Sequence, residues 1–543
     1  MNTKYLYKIY IAIILISTSC TSKFEEMNKD PFKVKEVSTG PLFGTIQKNI
    51  FQDLHWMYQI QENLIGDLYS GYMAPPTPFN SDHFNSTYSL MENWNETPYN
   101  YRVTGVMKPV DVILKLSDEK STDFIAIAKI LRVAAMHQAT DSYGPLPYSS
   151  YGMYDTYAPY ESQEEVYTSF FKDLEEADQH LKEYIEKNPG KSGFKKYDYI
   201  FGGDYTKWRK YCNSLRLRLA MRISNKDIAK AKIEAEKALS NGILTESDGV
   251  VGMLDINADN PLYIISNVWQ DTKLGANMES ILVGLKDPRL EKYFLPTQNK
   301  KAIKLGPNYT LSTGEKVRFQ GIRNGIRLVS KDQRKDFSTL GALWQADKQK
   351  STPIYFMVPA EMYFLRAEGA LKGFNMNGEA GELYKQGIQA SMKQWDIPTI
   401  DAYNYITDNT SQPADYIDPA NQDNNIKAVS KVTIQWDSSL SKEEKLEKII
   451  TQKWIANFPI GQEAWSEFRR TGYPKLQPIK INESQSFETG QIDTEIMIRR
   501  LPFPRSEVNN NYNEMQKATK LLSSGKNTAG TRLWWDTGVN IFD

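Results

Sequence analysis

Along most of the chain, apolar residues recur at steps of three and four, the period of an amphipathic helix. Between residues 122 and 140, Phe124, Ile127, Ala128, Leu131, Ala134 and Ala135 share one face, ahead of the Gly-Pro punctuated loop Asp141-Ser-Tyr-Gly-Pro-Leu-Pro147. The cleanest stripe spans 162–185, where Val166, Phe170, Leu174, Ala177, Leu181 and Ile185 align. Another helix is predicted from Lys226 to about Ser240, stopped by Asn241-Gly242. The run Leu215–Ile223 alternates with period two, as a strand would, but its place among helices predicts a helix. Pro359 opens a helix to Gly373, and a partner follows over Glu379–Trp395. Two such helices joined by a short Gly/Asn turn form a hairpin of tetratricopeptide (TPR) type, although no strict 34-residue signature recurs. Ser441-Lys-Glu-Glu444 is a capping box for a helix reaching Phe458, and a shorter helix carries Ala464, Trp465 and Phe468. Nearer the N-terminus, helical signal runs from Gly40 to about Tyr72 and breaks at Ala74-Pro-Pro-Thr-Pro78. Between these elements lie long loops at about 74–101, 245–357 and 396–440. The predicted class is all-α, arranged either as two to four average domains or as one large helical body with long loops.

The first residues follow a different pattern. Lys4 and Lys8 precede the apolar run Ile9–Ile16, which is shorter than the roughly 20 residues that span a bilayer and has the proportions of a secretory signal peptide, residues 1–19. Ser17-Thr-Ser-Cys20 resembles a bacterial lipobox, with Ser17 where an apolar residue is usual, so Cys20 is expected to carry lipid and residues 20–40 to form a polar tether. Charge is balanced at 66 basic and 66 acidic residues, which offers no basic face for nucleic acid. Beyond Cys20 only Cys212 remains, so no internal disulfide is possible and Cys212 reads as a buried thiol. Aromatic residues make up 12% of the chain, including 32 Tyr and 11 Trp, enough to supply a binding surface as well as a core.

Several blocks together resemble one family, the SusD/RagB outer-membrane nutrient-binding lipoproteins. They are Phe24-Glu-Glu-Met-Asn-Lys-Asp-Pro31, Asn63-Leu-Ile-Gly-Asp-Leu-Tyr-Ser-Gly-Tyr-Met73 and Ala139-Thr-Asp-Ser-Tyr-Gly-Pro-Leu-Pro-Tyr148. Further on come Gly203-Asp-Tyr-Thr-Lys-Trp208, Asn213–Arg222, Asp287-Pro-Arg289, Thr451-Gln-Lys-Trp454, Glu463–Pro474 and Arg499-Arg-Leu-Pro-Phe-Pro504. The resemblance implies a single SusD-like α-helical domain over 41–543, with four TPR-like helix pairs on one side and a loop-rich, ligand-facing side opposite. It also implies a surface lipoprotein, anchored in the outer membrane through its N-terminal lipid, that passes a nutrient to a TonB-dependent (SusC-like) transporter. Such proteins are not enzymes and need no cofactor.

Sugar rings present apolar C–H faces and a hydroxyl rim, so a site for them wants flat aromatics and short polar side chains. On that ground the candidate ligand residues are Trp94 and Asn95 from the first loop, and Trp269, Asn277, Phe319, Arg323 and Trp344 from the second. For each aromatic, packing of a long loop onto the body is the competing role. Asp67 and Tyr72 read as core-edge residues. The pairs Arg469-Arg470 and Arg499-Arg500 could clamp an anion, but in the family context they read as structural, pairing with carboxylates between helices. No His-x-x-x-His, Gly-x-Ser-x-Gly or phosphate-loop motif occurs. Asp255-Ile-Asn-Ala-Asp259 begins like a calcium loop, yet Asn260 stands where glycine is needed, and no metal is expected. The leading expectation is an oligosaccharide-binding lipoprotein; a peptide-binding relative and a helical surface glycoside hydrolase stand as alternatives.

Overall fold

The computed structural model describes residues 39–79, 83–117, 121–154, 158–254, 258–328, 331–484 and 490–542. The expected signal peptide, Cys20 and the expected tether as far as residue 38 lie outside the described residues, as do positions 255–257 of the calcium-loop-like run. Helix α1 (Gly40–Phe51) does not continue to Tyr72 as expected: Gln52 turns into the left-handed region at φ 57° and ends it. The chain resumes as a short turn, His55–Tyr58, and widens into a π-helical stretch over Gln59–Asp67. Here Gly66 abuts the backbone at Gln462, where a Cβ would sit 2.5 Å from the amide nitrogen. Gly461 abuts Asp67 equally closely, so two glycines let the backbones meet.

Helix α2 (Glu92–Tyr99) lies inside the stretch expected to be loop, and it carries Trp94 and Asn95. Its Pro98 has no N–H to give the turn behind it, and the chain loosens into a π turn over Asn100–Thr104 before α3 (Gly105–Leu116). Four consecutive helix pairs follow. They are α4 (Thr122–Tyr143) with α5 (Gln163–Lys187), and α6 (Tyr205–Arg222) with α7 (Ile228–Asn241). After α8 (Ala276–Gly284) come α9 (Pro359–Leu371) with α10 (Ala380–Gln394), then α11 (Thr399–Ile406), and finally α12 (Lys442–Ala456) with α13 (Gly461–Thr471). The fold is mostly helical with TPR-like helix pairs. The α5 stripe from Val166 to Leu181 is buried, and both α5 and α12 open on capping boxes, Ser162–Glu165 and Ser441–Glu444.

Helix α6 alternates leucine and arginine because both kinds are buried. Arg218 binds Glu361 of α9 at 2.6 Å, and Arg222 reaches Glu463 of α13 at 2.5 Å, Glu467 of α13 and Asp141 of α4 at 3.3 Å. Lys453 of α12 lies 3.0 Å from Glu467, and Arg470 binds Glu368 and Glu467 at 2.6 Å each. This buried network joins all four pairs and satisfies the rule that buried charges are paired. The neighbouring cations hold Glu463 and Glu467 below the ordinary carboxylate range against the desolvation that opposes them. The arginine pairs only partly follow expectation. Arg470 and Arg499 meet carboxylates, the latter Asp536 at 2.7 Å. Arg469 and Arg500 instead donate to backbone carbonyls, of Asp141 and Tyr143 respectively, because the carbonyls of the last turn of α4 rather than acidic side chains face them. Cys212 is buried in α6.

The segment 245–357 is not simply irregular. It holds α8 and short two-stranded antiparallel pairs, one of which ties it to the segment after α1 while the others close it on itself. β1 (Met73–Ala74) pairs with β3 (Lys273–Leu274), and β2 (Val251–Met253) pairs with β6 (Ile354–Met357). Between β3 and β6, β4 (Tyr309–Thr310) and β5 (Lys316–Val317) form a hairpin. Among the described residues no helix is long and apolar enough to cross a membrane.

Candidate functional site

Trp94 and Trp269, from the two loop stretches, each pack on other part-exposed rings, and together these form an aromatic relay whose Trp94 end is joined to the rest only through the helical run 92–104. Trp94 packs edge-on against Phe79 at 5.6 Å. Seven residues along the same helical run, about two turns, stands Tyr101, whose ring meets Trp56 edge-on at 6.3 Å. Trp56 is 44% exposed. Its neighbour His55 packs edge-on against Trp269 at 4.9 Å. All these separations lie in the range where aromatic pairs attract, so the rings hold one another in place while parts of their faces stay open. Leu54 and Val268 are also exposed beside this relay in sequence, which extends its apolar character. Sequence reasoning missed His55, Trp56 and Tyr101. Sequence alone carried no signal for them, since only the fold shows that Leu54 and Trp56 are exposed.

Polar groups flank the relay. The Trp269 carbonyl accepts from Arg334 at 3.5 Å, and Gln59 donates to Asp271 at 3.2 Å. Lys273 is buried, and burial first, then the nearby Arg334 charge, push its ammonium down to about 8. Asn95 lies on the buried side of α2, where its carbonyl accepts from the Tyr143 hydroxyl.

The other four candidates lie in the interior. Trp344 is fully buried against Trp395 and Phe458 at 6.0 and 5.8 Å, and Phe319 is fully buried, edge-on to Tyr309 at 5.5 Å. Neither offers a ring face to solvent, because a loop without helical periodicity is anchored by driving its largest side chains into the body. Asn277 accepts from the Gln477 amide at 2.7 Å. Arg323 donates to the carbonyls of Asn424 at 3.1 Å and Pro478 at 3.3 Å, tying three loops together. Asp67 and Tyr72 are also fully buried. Among the described residues, no group of histidine, cysteine and carboxylate side chains is gathered to hold a metal.

With this helical body and aromatic relay in view, the comparisons fix the class. Residues 21–536 match the family described as SusD-like, the SusD and RagB outer membrane lipoproteins, and the chain belongs to that family. A chitin-binding SusD homolog from Flavobacterium johnsoniae is 40% identical with a TM-score of 0.84, covering 92% of this chain and 99% of its own. A SusD homolog from Bacteroides thetaiotaomicron is 32% identical with a TM-score of 0.82, covering 93% and 100%. One from Bacteroides vulgatus is 35% identical with a TM-score of 0.81, covering 92% and 98%. No curated protein matches the chain.

Proposed function

We propose that this chain is a cell-surface lipoprotein, held in the outer membrane through acylated Cys20, that binds a glycan and delivers it to a partner TonB-dependent transporter without cleaving it. The observation that carries the glycan reading is the relay Trp94, Tyr101, Trp56, His55 and Trp269, part-exposed rings of the kind that stack on the apolar faces of sugars. The ligand class is a chitin-type oligomer of N-acetylglucosamine, by analogy with the 40% identical relative that binds chitin. Arg334, part-exposed beside Trp269, is a donor for sugar oxygens.

The test is calorimetric titration of chitohexaose, with maltohexaose as the contrast, into protein beginning at Thr21. Chitohexaose should bind and be recovered intact. Trp269→Ala, Trp94→Ala and Trp56→Ala should each weaken binding by about 1 kcal/mol or more, with little change in Tm. Trp344→Ala should instead lower stability by about 3–5 kcal/mol, as expected of a core aromatic. Unchanged affinity in all three surface variants would remove the relay as the site. Preference for a peptide or another glycan on an array would change the ligand class and leave the family standing.

A further inference from the structure

The two arginine pairs each place members in one cleft, away from the aromatic relay in sequence and in its lining residues. The cleft holds about 290 Å³ beside the end of α13, and Arg469, Arg470, Lys475, Arg499 and Arg532 line it with a single carboxylate, Glu495. Most of this charge has a partner. Arg470 is held by Glu368 and Glu467, Lys475 lies 3.6 Å from Glu447, and Arg499 and Arg532 share the one carboxylate of Asp536 at 2.7 and 2.6 Å. Arg469 has no carboxylate partner. It donates to the carbonyls of Asp141 and Arg499 at 2.6 and 2.8 Å and to the Ser466 hydroxyl at 3.0 Å. After these pairings, two arginines share Asp536, and Arg469 touches no carboxylate although the Asp141 and Asp536 charges act on it; the exposed Glu495 is the one acid in the lining.

Donors are also left over. Arg532, a third exposed, uses only Nη1 toward Asp536, which leaves Nε and Nη2 without a partner. Two left-handed glycines shape the wall. At Gly472 (φ 76°) a Cβ would meet nothing within 4 Å, so the backbone there borders open space. At Gly538 the φ of 76° itself favours glycine, and a Cβ there would fall 2.9 Å from Cζ of Arg532, so a side chain would displace the guanidinium.

We propose that this cleft binds a phosphate-type oxyanion, with Arg532 and Lys475 as its accessible cations and Arg499 and Arg469 as its floor. Planar guanidinium forks match tetrahedral oxyanions in geometry, and a dianion would offset the charge excess. The phosphate could be free in solution or carried on a lipid headgroup. The glycan reading does not depend on this site.

Protein beginning at Thr21 serves for the test, because solved relatives that span 92% of this chain are themselves 99% covered by the match and so fold as this body alone. Inorganic phosphate is titrated at low ionic strength and followed by phosphorus NMR line broadening and calorimetry. In parallel, phosphatidylcholine vesicles with and without phosphatidic acid are used in flotation. Saturable phosphate binding that weakens with added salt, and falls roughly tenfold in Arg532→Gln with Lys475→Gln, supports the site with a soluble source. Flotation only with phosphatidic acid, lost in the same double variant, supports a headgroup source. The variant spares Arg469 and Asp536, and an unchanged Tm together with unchanged chitohexaose affinity confirms that it is folded. No binding in either arm, or binding unaffected by the double variant, overturns the proposal.

Discussion

At the scale of single residues, the loop-rich side is held by polar side chains that had to give up water. Glu279 of α8 is the clearest case. It is buried and accepts from the Gly321 amide at 2.6 Å, from Asn308 at 3.3 Å and from Gln320 at 3.4 Å. All three partners are donors and suit a carboxylate, yet burial outweighs them and pushes the acid up to about 8, with Asp418 adding to the rise and Arg318 opposing it. A carboxyl that titrates near 8 when folded and near 4.5 when unfolded binds its proton more tightly in the native state. Its stabilising contribution is therefore complete below about pH 4.5 and is lost as pH rises toward 8. The Tm of the protein should decline from pH 5 to pH 8.5, and Glu279→Gln, which cannot ionise, should flatten that slope. An identical slope in the variant would place the titrating group elsewhere. Of the seven ligand candidates chosen from sequence, only Trp94 and Trp269 keep part of their rings open. Composition identifies a tryptophan in a loop but carries no information on which way the loop turns it.

At the scale of elements, the helices were legible wherever one face alone is buried. The stripe of α5 and the capping box of α12 specify helices by spacing and by side-chain chemistry, and both appear in the fold. Helix α6 was ambiguous because its arginines are as buried as its leucines, so polarity no longer marks the outside. Helix α2 was missed because Asn, Thr and Pro98 disguise it, and its stability comes from packing against the π-helical Gln59–Asp67 stretch rather than from propensity. The α6 arginines make the helix pairs interdependent. Removing one partner of a buried ion pair leaves the other uncompensated, so Glu467→Gln should cost about 3–5 kcal/mol. Because Glu463 and Glu467 are held below their unfolded values, their contribution is present above about pH 4.5 and is lost as pH falls through the folded values. Acid unfolding of the wild type should begin in that range, and Glu467→Gln should be less sensitive to acid while starting from a lower Tm. Equal acid sensitivity in the two proteins would sink this assignment.

At the scale of the whole molecule, these two kinds of attachment divide the chain into parts of unequal strength. The helix pairs share a continuous apolar core and a charge network that touches α4, α6, α9, α12 and α13, so they have no route to separate opening. The loop-rich side is attached by the two-residue β1–β3 pair and by single side chains such as Arg323, and its internal strand pairs are only two to four residues long. Local opening free energies follow the density of such attachments. In hydrogen exchange, amides of α6, α9 and α12 should exchange only through global unfolding, whereas those of the β4–β5 hairpin and its flanks should exchange through local opening orders of magnitude faster. A binding surface made of rings from three segments should change that hierarchy in one place. With chitohexaose bound, protection should rise at residues 92–104 and 264–274, where the relay sits, and stay unchanged at the hairpin. Protection that rises instead around the β4–β5 hairpin would move the ligand to the groove of about 510 Å³ lined by Leu295, Ile303, Leu311 and Val317. The aromatic relay would then be a packing feature of the loops, and the fold and family would be unaffected.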